Sequence, residues 1–278
     1  HQTNVEDWHV SARLMDQKYI KTNSSAAQAG ADYVRFDLEN GWATGWGSSH
    51  IGYMFKRHAG MDVVAWSGDD VAGRDIRHNL NAVPEMIWVK NRSSAEPWAV
   101  YHHGANGGTN PWNYYAKLNE TSAFSSSPNM WDQTAPTSTH FRVIADNMTN
   151  GAGSDYIAML FASVDGISKV GSYSGVSNNA NLTIDLGFVP RLFIHKRVDS
   201  GCNSESRWYI WDSNRGMGSS GTEKPFFLNS NAAEGNAYDY VATVNSGGVK
   251  GITLTGGVTS HFLGNNPSTE KYIYYAHA

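Results

Sequence analysis

Cysteine is nearly absent: 278 residues hold one, Cys202, so no intramolecular disulfide can staple the chain. Long apolar runs are absent as well. None approaches the ~20 residues that a membrane-crossing helix needs, and membrane insertion is not expected. Charge is sparse, at 17% of residues with a net charge of −4. A duplex binder needs a basic face. The densest basic cluster, His195-Lys196-Arg197, points to alternate faces at strand spacing, so nucleic acid is not an expected partner. No segment keeps a helical period beyond about three turns, and Ser11 to Lys18 is the one candidate for a short helix. A Gly-x-Ser-x-Gly elbow, a phosphate loop and a dinucleotide fingerprint are all missing. The chain is therefore expected to be non-catalytic and to need no cofactor. It opens on His1 rather than methionine, as a processed or partial product would.

What is plentiful is glycine (28), tryptophan (10) and tyrosine (14). Aromatic residues fit pleated strands, while glycine and asparagine fit turns. The chain also repeats itself, which is the strongest organising signal a sequence can carry. One offset aligns Ile51-Gly52-Tyr53-Met54-Phe55 with Ile157-Ala158-Met159-Leu160-Phe161, Pro84 with Pro190 and Lys90 with Lys196. After a variable insertion, Trp98-Ala99-Val100-Tyr101 matches Trp208-Tyr209-Ile210-Trp211, and Leu118-Asn119 matches Leu228-Asn229. At the N-terminus, Trp8-His9-Val10 and Tyr19-Ile20-Lys21-Thr22-Asn23 match the back half of the same unit. The expected fold is all-β: tandem β-sandwich-like units, jelly-roll or lectin-like. A half unit spans 1–57, and two complete units span 58–162 and 163–278. The half unit is expected either to continue upstream in a longer polypeptide or to serve as a cap. Pro84 and Pro190 each stand ahead of an apolar run, where a missing N–H is tolerated. Met86 to Val89 is almost continuously apolar, as a strand buried on both faces should be.

The strings Val71-Ala72-Gly73-Arg74, His78-Asn79-Leu80, Val83-Pro84 and Ile87-Trp88-Val89-Lys90 carry a further likeness. So do Trp131-Asp132-Gln133-Thr134-Ala135-Pro136-Thr137-Ser138, Gly171-Ser172-Tyr173-Ser174-Gly175 and Trp208-Tyr209-Ile210-Trp211-Asp212-Ser213. Together they resemble a repeated domain of unknown function found in tail-fibre and other virion structural proteins of tailed bacteriophages. The resemblance covers most of residues 51–278. It implies a virion location on the tail or capsid exterior and contacts with other virion proteins. It implies, too, a tail-fibre or appendage segment with a host-adhesion role. A capsid-decorating or head-fibre protein, a free carbohydrate-binding lectin-like module and a polysaccharide depolymerase are the alternatives. Self-association as a homotrimer is expected of a disulfide-free fibre segment, with a host-surface glycan or protein as the outer partner.

Trp8, Trp98 and Trp208 recur at one repeat position, so they are expected to anchor cores rather than to stack on sugar. The unrepeated aromatics Trp42, Trp46, Trp112, Tyr114 and Trp131 sit in turn-like stretches and are the ligand-binding candidates. His102-His103 invites a metal reading, but neighbours on a strand face opposite ways and rarely share one ion, and no metal site is expected. Asp146 to Gly151 lacks the ligand pattern of a calcium loop. Asp69-Asp70, or Glu120 with Asp132, could serve as a glycosidase pair only if they faced each other across a cleft.

Overall fold

A computed structural model describes residues 5–30, 34–38, 41–44, 50–57, 60–176, 180–218, 223–234, 241–255 and 270–278, the side chains of 37–38 and 41–44 excepted. The N-terminal segment carries β1 (His9–Val10), β2 (Ile20–Lys21), β3 (Val34–Leu38) and β4 (Gly41–Thr44). The middle of the chain carries β5 (Met61–Ser67), β6 (Arg74–Arg77), β7 (Met86–Asn91), β8 (Ala99–His102), β9 (Tyr114–Lys117), β10 (Ser125–Ser126), β11 (His140–Val143) and β12 (Asp155–Phe161). The last part carries β13 (Ser168–Ser174), β14 (Leu182–Asp185), β15 (Leu192–Arg197), β16 (Tyr209–Asp212), β17 (Phe226–Phe227), β18 (Val241–Ser246), β19 (Val249–Leu254) and β20 (Lys271–His277). Among the described residues the fold is all-β, built from several antiparallel sheets and short 3₁₀ turns.

Two large sheets share one plan. The first runs β10-β9-β8-β7-β12-β5 and the second β17-β16-β15-β20-β13, so five strands occupy the same order in both. A small sheet accompanies each: β11-β6 for the first and β14-β19-β18 for the second. Strand side chains alternate between faces, and that period divides the core into three. In β7 and β12, Met86, Trp88, Ile157, Met159 and Phe161 face one way, while Ile87, Val89, Ala158 and Leu160 face the other. In β15 and β20, Leu192, Ile194, Ile273 and Tyr275 join the first set, and Phe193, Tyr274 and Ala276 form a separate cluster. The two large sheets therefore turn one face each toward a shared central core. The third side of that core is lined by Met15 and Ile20, with Trp8, Ile51, Tyr53 and Phe55 packed against it.

All six residues of β7 are buried, as the continuous apolar run leads one to expect. Pro84 and Pro190 are buried two residues before β7 and β15. The ladder begins after them, with Glu85 N donating to Phe161 O and Arg191 N to His277 O. The helix expected over Ser11–Lys18 shrinks to one 3₁₀ turn at Arg13–Met15. Asp16 and Gln17 take left-handed φ values of 50° and 61°, which no α-helix can continue through. The strand expected at Ile51–Phe55 belongs to no sheet among the described residues. Its side chains still alternate between half-buried and exposed, but no neighbouring strand completes its ladder.

Gly251 fixes how β14 and β19 meet. An ideal Cβ placed there would lie 2.0 Å from the Ile184 carbonyl oxygen, a backbone atom that cannot rotate away. Overpacking of this kind costs about 1–3 kcal/mol. Gly251→Ala should lower the urea midpoint correspondingly, with the m-value unchanged.

Candidate functional site

A tryptophan that stands just before a strand has an N–H outside the ladder, which needs an acceptor. The same solution occurs three times. Trp8 N donates to Asn23 Oδ1 (3.0 Å), Trp98 N to Asn119 Oδ1 (3.0 Å) and Trp208 N to Asn229 Oδ1 (2.9 Å). Each asparagine lies two residues beyond the strand that pairs with the tryptophan's own. The indoles then reach back into the preceding part of the chain. Trp98 Nε1 donates to Lys21 O (2.8 Å), and Trp208 Nε1 to Lys117 O (3.0 Å).

Two lysines follow the same course. Lys90 and Lys196 end the inward faces of β7 and β15 and are fully buried. Lys90 Nζ donates to Ser25 O (3.0 Å), Asn91 O (2.6 Å) and Ser94 O (3.4 Å). Lys196 Nζ donates to Thr121 O (3.0 Å) and Ser206 O (2.6 Å). Ser25 and Thr121 each lie two residues past a clasping asparagine, so the pegs are equivalent. Burial disfavours the ammonium and pushes both lysines down to about 8; at neutral pH they remain charged. Sequence alignment marks these lysines as shared, but a basic residue in an apolar strand gives no sign of which carbonyls will receive it.

The N-terminal segment also touches the last part of the chain. Thr22 Oγ1 donates to Leu228 O (2.6 Å), and Glu6 N to Asn231 O (3.0 Å). Trp8 meets Phe226 edge-on at 4.9 Å. Tyr53 OH donates to Asp212 Oδ2 (2.6 Å) and accepts from Arg215 Nη2 (3.0 Å); burial raises the Tyr53 hydroxyl's pKa well above its usual value. The three parts of the chain thus form a closed ring of contacts.

Within that ring lies an apolar cavity of about 910 Å³, bordered by Trp8, Tyr53, Phe55, Trp88, Phe161 and Tyr275. Its volume is near the top of the range for small-molecule sites. The Trp88 indole N–H is buried and finds no acceptor among the described residues, whereas Trp98 and Trp208 both find one.

The aromatic candidates do not converge on a site. Trp131 is a correction: it is 2% exposed, packs edge-on against Tyr101 at 5.9 Å and donates Nε1–H to Tyr114 O (3.0 Å). It offers no face to a ligand, because residues 127–134 fold back beneath β8 and β9. Trp112 is half-buried in the 3₁₀ turn Pro111–Asn113 against the cluster beside Trp66, and Tyr114 is half-buried at the start of β9. Trp46 and the side chain of Trp42 lie outside the described residues. Trp98 and Trp208 are fully buried, and Trp8 packs on the central core.

The titratable candidates are committed to structural partners. His102 is fully buried, and its Nδ1 accepts from Gly104 N (2.9 Å). Burial pushes it down to about 3, so the ring is neutral. His195 is held at about 3 by the same cause; its Nε2 accepts from Trp211 Nε1 (3.1 Å), which leaves Nδ1–H to donate to Tyr173 OH (2.9 Å). Asp69 pairs with Arg74 (3.3 Å), Glu120 with Lys117 (2.9 Å) and Asp132 with Arg142 (3.1 Å).

A family model described as "Domain of unknown function (DUF7483)" matches residues 14–278. No curated protein and no solved structure matches the chain.

Proposed function

We propose that this chain, which belongs to that family of domains of unknown function, is a non-catalytic structural segment of a bacteriophage virion, part of a tail fibre or appendage with a host-adhesion role. It consists of two complete β-sandwich-like units, 58–162 and 163–278, and the back half of another at 1–57. The observation that carries the reading is the recurring clasp. A Trp–Asn bond fastens each unit within itself, and two indole pegs and two lysine pegs tie successive units together. An appendage that bears load without disulfides needs this kind of cross-unit fastening. The sequence likeness to virion proteins points the same way. Self-association as a homotrimer would multiply weak surface contacts, since linked sites gain affinity through effective concentration. The loop at residues 103–113, which carries Trp112, is the adhesive surface, as loops on a rigid scaffold commonly are.

The test is to locate the chain. Mass spectrometry and a reconstruction of purified particles should find it in the tail appendage, and Trp112→Ala should lower adsorption to host cells at least fivefold. Its absence from purified particles would sink the proposal.

A further inference from the structure

We propose that the central cavity binds an uncharged, flat, largely apolar small molecule, such as an aryl ketone, whose one acceptor oxygen meets the Trp88 indole N–H. Where the protein acts has no bearing on this site. Protein interiors are close-packed and leave few voids larger than a water molecule. Here a cavity of about 910 Å³ lies between the inward faces of β7, β12 and β15 and the N-terminal segment, enough for a drug-sized guest.

Trp88 supplies the polar contact. Six tryptophans are buried among the described residues: Trp66, Trp88, Trp98, Trp131, Trp208 and Trp211. Five of them donate their indole N–H, Trp66 to Thr149 O, Trp98 to Lys21 O, Trp131 to Tyr114 O, Trp208 to Lys117 O and Trp211 to His195 Nε2. Trp88 is 7% exposed and lines the cavity, and among the described residues its N–H has no acceptor. The repeat provides a control. The residue equivalent to Trp88 in β15 is Ile194, which lines the same cavity without a polar atom. An aliphatic residue therefore satisfies the packing at this position. A buried donor costs free energy when it is unpaired, so its placement on one sheet alone calls for an acceptor from a guest.

The walls specify the rest of the guest. Water suits them poorly, because a buried water needs about two to four polar partners. The hydroxyls on the lining are already engaged: Tyr53 OH with Asp212 and Arg215, Tyr275 OH with His277 Nδ1, and Thr22 Oγ1 with Leu228 O. A charge would lack a counter-ion against the core wall of Trp88, Met159, Phe161, Ile194 and Tyr275, and an unpaired buried charge is costly. Trp88, Phe161, Tyr275 and Phe55 follow one another at centroid separations of 5.0, 5.0 and 6.3 Å, a run of rings that suits a flat molecule. Leu14 and Met54 also line the cavity and are exposed, which gives it an apolar rim for entry.

The probe is 2-acetylnaphthalene, paired with 2-isopropenylnaphthalene, which has the same shape but no oxygen. Added to the 278-residue protein, the ketone should bind saturably and raise Tm by several degrees. Its ring protons should show nuclear Overhauser contacts to the Met61 and Met159 methyls, which line the cavity, and the Trp88 indole proton should move downfield. Trp88→Phe keeps an aromatic wall and deletes the donor. The preference for ketone over hydrocarbon should therefore fall about fivefold in that variant, as the loss of one hydrogen bond requires. The wild-type methyl contacts and indole shift decide the matter even if the variant fails to fold. Any of four results would overturn the proposal. These are no saturable binding of the ketone; contacts that bypass both methyls; an equal preference in wild type and Trp88→Phe; or an indole proton whose shift follows protein concentration without ligand, which would give the space to a second copy. None of these depends on whether the chain belongs to a virion.

Discussion

Trp208→Ala should lower the free energy of unfolding by about 3–5 kcal/mol, the usual cost of emptying a buried indole site. Three losses fall on one residue. The ring is 1% exposed in the shared core, close to Trp88 at 6.5 Å and beneath the Lys196 ammonium at 5.8 Å. Its removal leaves a cavity that rigid strands cannot close. It also removes the indole bond to Lys117 O that joins the second large sheet to the first; Lys117 O keeps the long 3.4 Å bond from Glu120 N, so the loss is that of one hydrogen bond, about 0.5–1.5 kcal/mol. The bond from Trp208 N to Asn229 survives, because alanine keeps the N–H. Urea unfolding followed by fluorescence and far-UV circular dichroism should therefore show an earlier transition in which the two signals separate, as the sheets lose their coupling. Trp112→Ala, in a half-buried loop position, should cost less than half as much. Equal costs would mean that the indole peg does not join the sheets.

Lys196→Met should destabilise by about 2–3 kcal/mol at pH 7, and by more as the pH rises. The methionine fills the apolar stem's place but orphans Thr121 O and Ser206 O. Relief from burying an ammonium offsets part of that loss. The pH dependence follows from linkage. Burial holds the folded-state pKa at about 8, below the ordinary 10.5. Between those values the unfolded chain binds a proton that the folded chain has released, so raising the pH stabilises the wild type. A shift of this size corresponds to roughly 3 kcal/mol for Lys196. Lys90 behaves alike, so the variant keeps about half of the wild-type rise. Urea midpoints at pH 7, 8 and 9.5 for both proteins isolate the Lys196 share, and a gap that stays constant with pH would show that its ammonium is not penalised by burial.

The sequence made the sheets legible wherever one strand's pattern sufficed. Met86 to Val89 reads as doubly buried because its apolar residues do not alternate, and β7 is buried throughout. The alternation at Ile252 to Thr255 is matched by burial of Ile252 and Leu254 against half-buried Thr253 and Thr255. Where the outcome depends on a neighbour, the pattern misleads. Ile51 to Phe55 has strand periodicity but no partner strand among the described residues, and a ladder cannot form alone. Trp131 sits among turn residues, yet its loop tucks the ring under β8 and β9, a tertiary choice with no local signature. His195 and Lys196 do face opposite ways, as strand spacing requires, but both faces turn out to be buried. Charge alone would have placed the lysine outside.

The pegs also have a direction in time. In the four interlocks made by Trp98, Lys90, Trp208 and Lys196, the donor stands later in the chain than the carbonyl that receives it. A polypeptide leaves the ribosome N-terminus first, and its parts fold in that order. Each socket is therefore synthesised before its peg, so every new unit emerges beside a finished template. The ring-closing bonds of Thr22 to Leu228, Glu6 to Asn231 and Tyr53 to Asp212 run the other way and must wait for the last third of the chain. Nascent chains stalled after residue 162 should consequently already hold Trp98 and Lys90 in place, while the ring is still open.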